Sequence, residues 1–261
     1  MNWLRVFVVG GATSYRALFH WLNPWIYVPL MLAYPLFQTI FFAYLGRGSG
    51  LESDRFFVIG NALEVTSVAG IFGIGQAMGN ERWYQTLPVL LCSPASRLAL
   101  FLGRALPTIA NAIFVSAFAL ATSALVLNVD IPARAIGGLA LAICACAFSC
   151  TALGISFGAL GLRGRNVIVF GNLIGGILLV ICGVNVPLDV LPGWVQTIAS
   201  GLPLTHGIEA ARNAVAGASV ADIAGLLARE VLIGAVYVVV GVVLLKLFEF
   251  EGRRTASLET F

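Results

Sequence analysis

Charged residues are scarce in this 261-residue chain: Asp, Glu, Lys and Arg together make up 10% of it, where an ordinary soluble domain carries about 25%. Hydrophobic residues reach 59%, and the mean hydropathy is +0.96. So few polar groups cannot cover the surface of a water-soluble globule. A soluble enzyme, a disordered tail and a nucleic-acid binder are excluded. The chain reads as an integral membrane protein.

Lysine is nearly missing. Lys246 stands alone against fourteen arginines, between Leu245 and Leu247. A phosphate-cradling P-loop needs Gly-Lys-Ser/Thr, because the ammonium must reach the phosphates beside a magnesium-binding hydroxyl. That triplet does not occur, so the chain does not bind ATP in that way. Histidine is limited to His20 and His206. No H-E-x-x-H string, no acidic cluster suited to magnesium and no evident nucleophile–base pair is found, which leaves an intramembrane enzyme unsupported. The five cysteines fit no common zinc spacing. Cys144, Cys146, Cys150 and Cys182 lie in apolar runs and read as small hydrophobes; Cys92 precedes Ser93-Pro94.

What is abundant is apolar sequence long enough to cross a bilayer, which takes about 20 residues. Six stretches qualify: Pro24–Leu45, Phe56–Met78, Ala105–Val129, Ala135–Leu162, Asn166–Leu188 and Val231–Leu245. Only the second contains a charge, Glu64. Met1–Gly11 is too short an apolar run for a signal peptide, with Arg5 and Arg16 interrupting the region. With the N-terminus inside, the inner segments hold ten of the basic residues and the outer ones five, the bias expected of cytoplasmic loops. Both termini are therefore expected in the cytoplasm, and Gly252–Phe261 as a short tail.

Three segments between or before the spans carry more information. Residues 3–19 mix aromatic rings with Arg5 and Arg16 and suit a helix lying flat at the inner interface. Residues 80–97 form the largest inner loop, with a short amphipathic helix ending at the Ser93-Pro94 start signal of the third span. Residues 189–222 are too long for a structureless loop. Prolines and glycines divide them, and Leu191, Trp194, Val195 and Ile198, then Leu204, Ile208, Ala211 and Val215, recur at helical spacing. Two short helices entering the outer face and turning back are expected there. The sequence thus specifies an all-α integral membrane fold of six transmembrane helices, a single domain over residues 1–261.

Glu64 is the one acid within a span, and burying it is costly unless it is paired or hydrated. Asn61 lies on the same helical face. The pathway role and simple hydrogen bonding inside the bundle are evenly matched for Glu64. Pairs of small residues four apart, such as Gly75 and Gly79, Gly154 and Gly158, and Gly171 and Gly175, let helices approach closely in lipid. Packing within one subunit explains any one of them more simply than a dimer seam.

Two longer strings carry a resemblance. Glu81-Arg-Trp-Tyr-Gln-Thr-Leu-Pro-Val-Leu-Leu-Cys-Ser-Pro-Ala-Ser-Arg97 resembles the E-R-x-x-G-T-L-x-x-L-L-x-S-P-x-S-R segment of ABC-2 type export permeases. Leu191-Pro-Gly-Trp-Val195 with Leu202-Pro-Leu-Thr-His-Gly-Ile-Glu-Ala-Ala-Arg212 resembles their L-P-x-W and N-P-L-T-x-x-x-E-A-x-R segments. Gln85 and Leu202 depart from the family's usual glycine and asparagine. The likeness runs along essentially the whole chain, six spans and cytoplasmic termini included.

The resemblance implies a dimeric permease in a bacterial inner membrane, a homodimer in the simplest case, that exports an amphipathic compound such as a drug or antibiotic. Two copies of a separate ABC ATPase would drive it and hold the ATP and magnesium, leaving this chain without a cofactor and without catalysis of its own. By the same resemblance, a coupling helix at Glu81, Arg82, Trp83, Tyr84, Gln85 and Thr86 would dock on the ATPase, with Arg5 and Arg16 of the interfacial helix nearby. Asn61, Glu64, Asn172 and Asn185 would line the substrate path. Leu191, Trp194, His206, Glu209 and Arg212 would close its outer end. Export of a lipid-linked glycan by the same fold is the alternative, and a proton-coupled secondary transporter is less well supported, since a single intramembrane acid makes a poor relay.

Overall fold

A computed structural model describes residues 9–11, 13, 23–50, 52–74, 97–161 and 167–255. Every regular element among them is helical. Helix α1 (Tyr34–Ser49) follows a single α turn at Pro24–Tyr27 and a π-helical stretch at Val28–Ala33. Pro29 lies in that stretch. It has no N–H to donate and its ring crowds the preceding turn, which accounts for the widened winding. Helix α1 runs through the glycines Gly46 and Gly48 to Ser49. Gly50 then ends it with φ of 64°, a left-handed cap that costs glycine little.

Helix α2 (Asp54–Ser67) passes into a second π-helical stretch, Val68–Phe72. Helices α3 (Arg97–Val126) and α4 (Ile136–Gly161) follow. Helix α5 (Val167–Ile181) leads through bends to α6 (Gly193–Ala199) and α7 (Thr205–Ala216), the two short helices expected between the last spans. Helix α8 (Val220–Thr255) begins eleven residues before the expected sixth span and runs past the expected start of the tail. A reciprocal cap starts it: Ser219 N and Oγ both donate to Asp222 Oδ2, and Asp222 N donates back to Ser219 Oγ.

Among the described residues, five helices are long and apolar enough to cross a membrane: Val28–Gly48, Asp54–Phe72, Leu102–Val126, Ala133–Ala159 and Val220–Leu247. Helix α5, at 15 residues, rises only about 22 Å against a hydrocarbon core of about 30 Å. The fifth expected span is therefore shorter as a helix than its apolar sequence, because the chain bends from Cys182 onward.

Helix α2 is the centre of the bundle. Each residue from Phe57 to Ser67 is buried, so neighbours surround it on all sides. Helices α3 and α4 flank it, and α8 packs along α4. At the crossing of α4 with the π-helical end of α2, a Cβ on Gly154 would stand 2.9 Å from the Gly70 carbonyl oxygen. The Gly154 member of the small-residue pairs therefore serves packing within the chain. Ser116 Oγ donates to Ala62 O at 2.7 Å, fixing α3 on α2.

The connections expected on the outer side gather at one end of the bundle. Arg47 and Asp54 form an ion pair across the α1–α2 turn, and Arg55 Nη2 donates to Asp130 O in the α3–α4 connection at 3.0 Å. Arg212 of α7 reaches the start of α2 at the same end. Val9–Gly11 and Thr13 are helical, and Gly11 lies against the Gly103 carbonyl oxygen of α3. The remainder of the expected interfacial helix, with Arg5 and Arg16, and the whole of the expected coupling helix from Glu81 to Thr86 lie outside the described residues.

Candidate functional site: a buried polar line along the central helix

Asn61, Glu64 and Ser67 are three residues apart and so share a face of α2. In a largely apolar bundle such a row needs partners, because an unpaired buried polar group costs roughly 1–3 kcal/mol by mutation. It finds them on two other elements. Gln38 of α1 donates through Nε2 to Asn61 Oδ1 at 3.2 Å and to Glu64 Oε2 at 3.3 Å. Ser67 Oγ donates to Glu64 Oε1 at 3.2 Å. Asn61 Nδ2 donates to Phe57 O at 2.9 Å and to Asn185 Oδ1 at 2.7 Å.

Asn185 belongs to the bend after α5, where Gly183 adopts φ of 78° and lets the chain turn back over α2. The close approach continues at Gly60: an added Cβ would lie 2.3 Å from Val184 O and 2.9 Å from Arg212 Nη2. That nitrogen donates to Phe56 O at 3.2 Å and Val184 O at 3.1 Å, and the guanidinium carbon sits 3.5 Å from the centre of the Phe56 ring. Burial lowers the Arg212 pKa to about 10, with the Glu52 carboxylate acting the other way, so the side chain is a cation at neutral pH. Polar groups thus run from Arg212 through Asn185, Asn61 and Gln38 to Glu64 and Ser67. Asn185 Nδ2 and Arg212 Nε are buried without a hydrogen-bond partner.

The residues singled out by sequence are only partly brought together. Asn61, Glu64 and Asn185 are joined, and Arg212 adjoins them. Asn172 is exposed on the outward face of α5 beside Leu173 and Ile177. Of the outer residues, Trp194 is 70% exposed, Glu209 is exposed and Leu191 half-buried. His206 is buried, its Nε2 3.1 Å from Ser200 O and its Nδ1 unpartnered. These five line different parts of the outer end rather than one cluster.

Gln38 and Ser67 escape a sequence reading that searches spans for charge, since neither carries one. Glu230 escapes because it precedes the apolar run from Val231, yet it is fully buried. It accepts from Ser149 Oγ of α4 and from the backbone N–H groups of Leu204 at 2.8 Å and Gly207 at 3.1 Å. Leu204 has φ of 80°, a conformation unfavourable for a branched side chain. The bond to Glu230 and complete burial of the leucine hold it there. Glu230 therefore ties the start of α7 to α4 and α8.

One string could be mistaken for chemistry. Gly154-Ile-Ser-Phe-Gly158 spells a G-x-S-x-G nucleophile elbow, so the expectation that the sequence holds no such string is wrong. An elbow requires a strand-to-helix turn that exposes the serine. Here the string lies inside α4, and Ser156 Oγ donates to Tyr237 O of α8 at 2.7 Å. Ser156 is a helix-packing group. Among the described residues, no His, Cys, Asp or Glu group has the arrangement of a metal site.

No curated protein and no solved structure matches the chain. The family model for ABC-2 type transporters matches residues 13–215, taking in the polar line, the segment Glu81–Thr86 and nearly all of the two short outer helices. With this match over most of its length and its bundle of membrane-crossing helices, the chain belongs to the ABC-2 type transporter family, as a multi-pass membrane permease.

Proposed function

We propose that this chain is the permease subunit of an ABC exporter, working as a homodimer with two copies of a separate ATPase. The ATPase holds the ATP and magnesium, and this chain holds the path. It is a single transmembrane domain of the bacterial inner membrane with six crossings and both termini in the cytoplasm, α5 completing its crossing with the flanking residues. The cargo is an amphipathic compound of the drug or antibiotic type.

The buried polar line on α2 carries this reading. A bundle that served only as a scaffold would gain by filling these positions with apolar residues, since even a satisfied buried polar network rarely exceeds a well-packed apolar core in stability. Asn61, Glu64 and Asn185 are suited to alternate between hydrogen-bonding each other and hydrogen-bonding a cargo. Asn172 supports the same reading: an exposed amide at mid-helix disfavours lipid and suits either a second copy or a watery path. Glu81, Arg82, Trp83, Tyr84, Gln85 and Thr86, with Arg5 and Arg16, couple to the ATPase. Leu191, Trp194, His206, Glu209 and Arg212 form the outer closure, which Glu230 ties to the bundle. Transport then follows from different cargo affinities in inward- and outward-open states.

The test is to purify the tagged permease in detergent and identify its companions by mass spectrometry. An ABC ATPase at one-to-one stoichiometry is expected. A permease that purifies alone and transports in liposomes under a proton gradient overturns the reading in favour of a secondary transporter. Accumulation of a lipid-linked glycan on deletion would shift the cargo to the alternative class.

A further inference from the structure

Among the described residues two carboxylates are buried, Glu64 and Glu230, and their hydrogen bonding differs in kind. Glu230 accepts one hydroxyl and two backbone N–H donors at the start of a helix, where the helix end adds partial positive charge. Its capacity is largely used. Glu64, 3% exposed, accepts only from Ser67 at 3.2 Å and Gln38 at 3.3 Å. Both donors are neutral, both bonds are long for their type, and the Gln38 donor is shared with Asn61. A carboxylate offers about four acceptor positions, so two remain unused. Among the described residues, Glu64 has no ion-pair partner.

The surroundings of Glu64 are also rich in acceptors. Asn61 turns its carbonyl oxygen toward the shared Gln38 nitrogen, while its own nitrogen is spent on Phe57 O and Asn185 Oδ1. Gln38 is half-buried, standing between Phe37, which is 68% exposed, and the fully buried Thr39. It therefore bridges the enclosed carboxylate and the outward face of α1. If its amide swings aside, the Glu64 carboxylate and the Asn61 carbonyl oxygen lose the donor they share. The group that satisfies such a set carries positive charge and several N–H donors on an apolar body.

We infer that the Gln38–Asn61–Glu64 cluster binds the ammonium group of an amphipathic primary or secondary amine, which displaces the Gln38 amide and supplies the counter-charge that Glu64 lacks. The inference rests on the pathway reading and names the cargo class within it. Charge selects the amine, and its N–H groups distinguish it from a quaternary ammonium.

Three probes decide it with the full-length permease in lipid nanodiscs. These are dansylcadaverine, its N-acetyl derivative, which keeps the dye and loses the charge, and its trimethylammonium derivative, which keeps the charge and loses the N–H groups. Binding is read from dansyl fluorescence after subtraction of empty nanodiscs. The primary amine is expected to bind at least about tenfold tighter than the acetylated probe, with the quaternary probe between them. Glu64→Gln should remove the difference between the primary amine and the acetylated probe, and an unchanged melting temperature of the permease shows separately that the variant is folded. Glu64→Asp should recover part of the difference.

Equal binding of all three probes, weakened alike by Asn61→Leu, overturns the amine inference and leaves the pathway reading standing. Binding of no probe, or binding indifferent to both Asn61 and Glu64, overturns the pathway reading with it.

Discussion

Glu230 is the residue on which the outer helices depend. Its carboxylate satisfies two backbone N–H groups at the start of α7 and the Ser149 hydroxyl, and it supports the left-handed Leu204. Alanine at 230 would orphan two buried backbone N–H donors, each at a cost of about 1–3 kcal/mol, and leave the Ser149 hydroxyl only its bond to Cys146 O. Backbone amides near Leu204–Gly207 should then exchange with deuterium roughly tenfold to a hundredfold faster, for a local opening penalty reduced by that amount. Mass spectrometry of exchange in nanodiscs would read this, with α3 as an internal reference expected not to change. Uniform acceleration throughout the chain would mean that Glu230 supports the whole bundle rather than one latch. Sequence alone does not separate the roles of Glu64 and Glu230. A carboxylate's role depends on its donors, and here these come from residues 26 and 81 positions away. What is legible is the expense of burying Glu64, because that needs only the hydropathy of its neighbours.

Among the elements, those whose cause is local were readable. The short outer helices follow from Pro192, Gly201 and Pro203 with apolar residues at helical spacing, and α6 and α7 lie there. The start of α8 at Val220 was missed because a count of charge-free residues stops at Glu230, whereas the helix is set by the Ser219–Asp222 cap. The π-helical stretch at Val68–Phe72 has no local signature. It lies where α2 meets α4, so tertiary packing selects it over the ordinary α winding. That crossing is testable by a matched pair. A Cβ at Gly154 would press on Gly70 O and on Ile71 Cα at 3.0 Å, backbone on both sides, while one at Gly176 would meet nothing within 4 Å. Gly154→Ala should therefore lower the detergent-melting temperature clearly, at an overpacking cost of about 1–3 kcal/mol. Gly176→Ala should not lower it. Equal effects would show that helix propensity, rather than contact, governs both sites.

The whole molecule is organised by its two ends. At one end the α1–α2 turn, the α3–α4 connection, the bend after α5 and helix α7 are joined through Arg55, Arg212 and Val184. The polar line starts there and runs down α2 to Ser67, just before the π-helical stretch. In the sequence that stretch is followed by the segment with Glu81 and Arg82, whose role is proposed from the family resemblance. A push on that segment would be delivered along α2, which neighbours enclose from Phe57 to Ser67, so coupling and cargo binding would share a mechanical element without sharing residues. Double replacement Glu81→Ala/Arg82→Ala should therefore leave insertion, melting temperature and probe binding intact. It should also reduce cargo-stimulated ATP hydrolysis by the co-purified ATPase at least tenfold, roughly the effect of about 1.4 kcal/mol of lost coupling. Glu64→Gln should do the reverse, sparing basal hydrolysis while altering its response to cargo. ATPase co-purified on an antibody to the permease separates weakened docking from lost transmission: bound but unstimulated ATPase marks lost transmission. Full stimulation in the double variant would remove this segment from the coupling path and direct the search to Arg5 and Arg16.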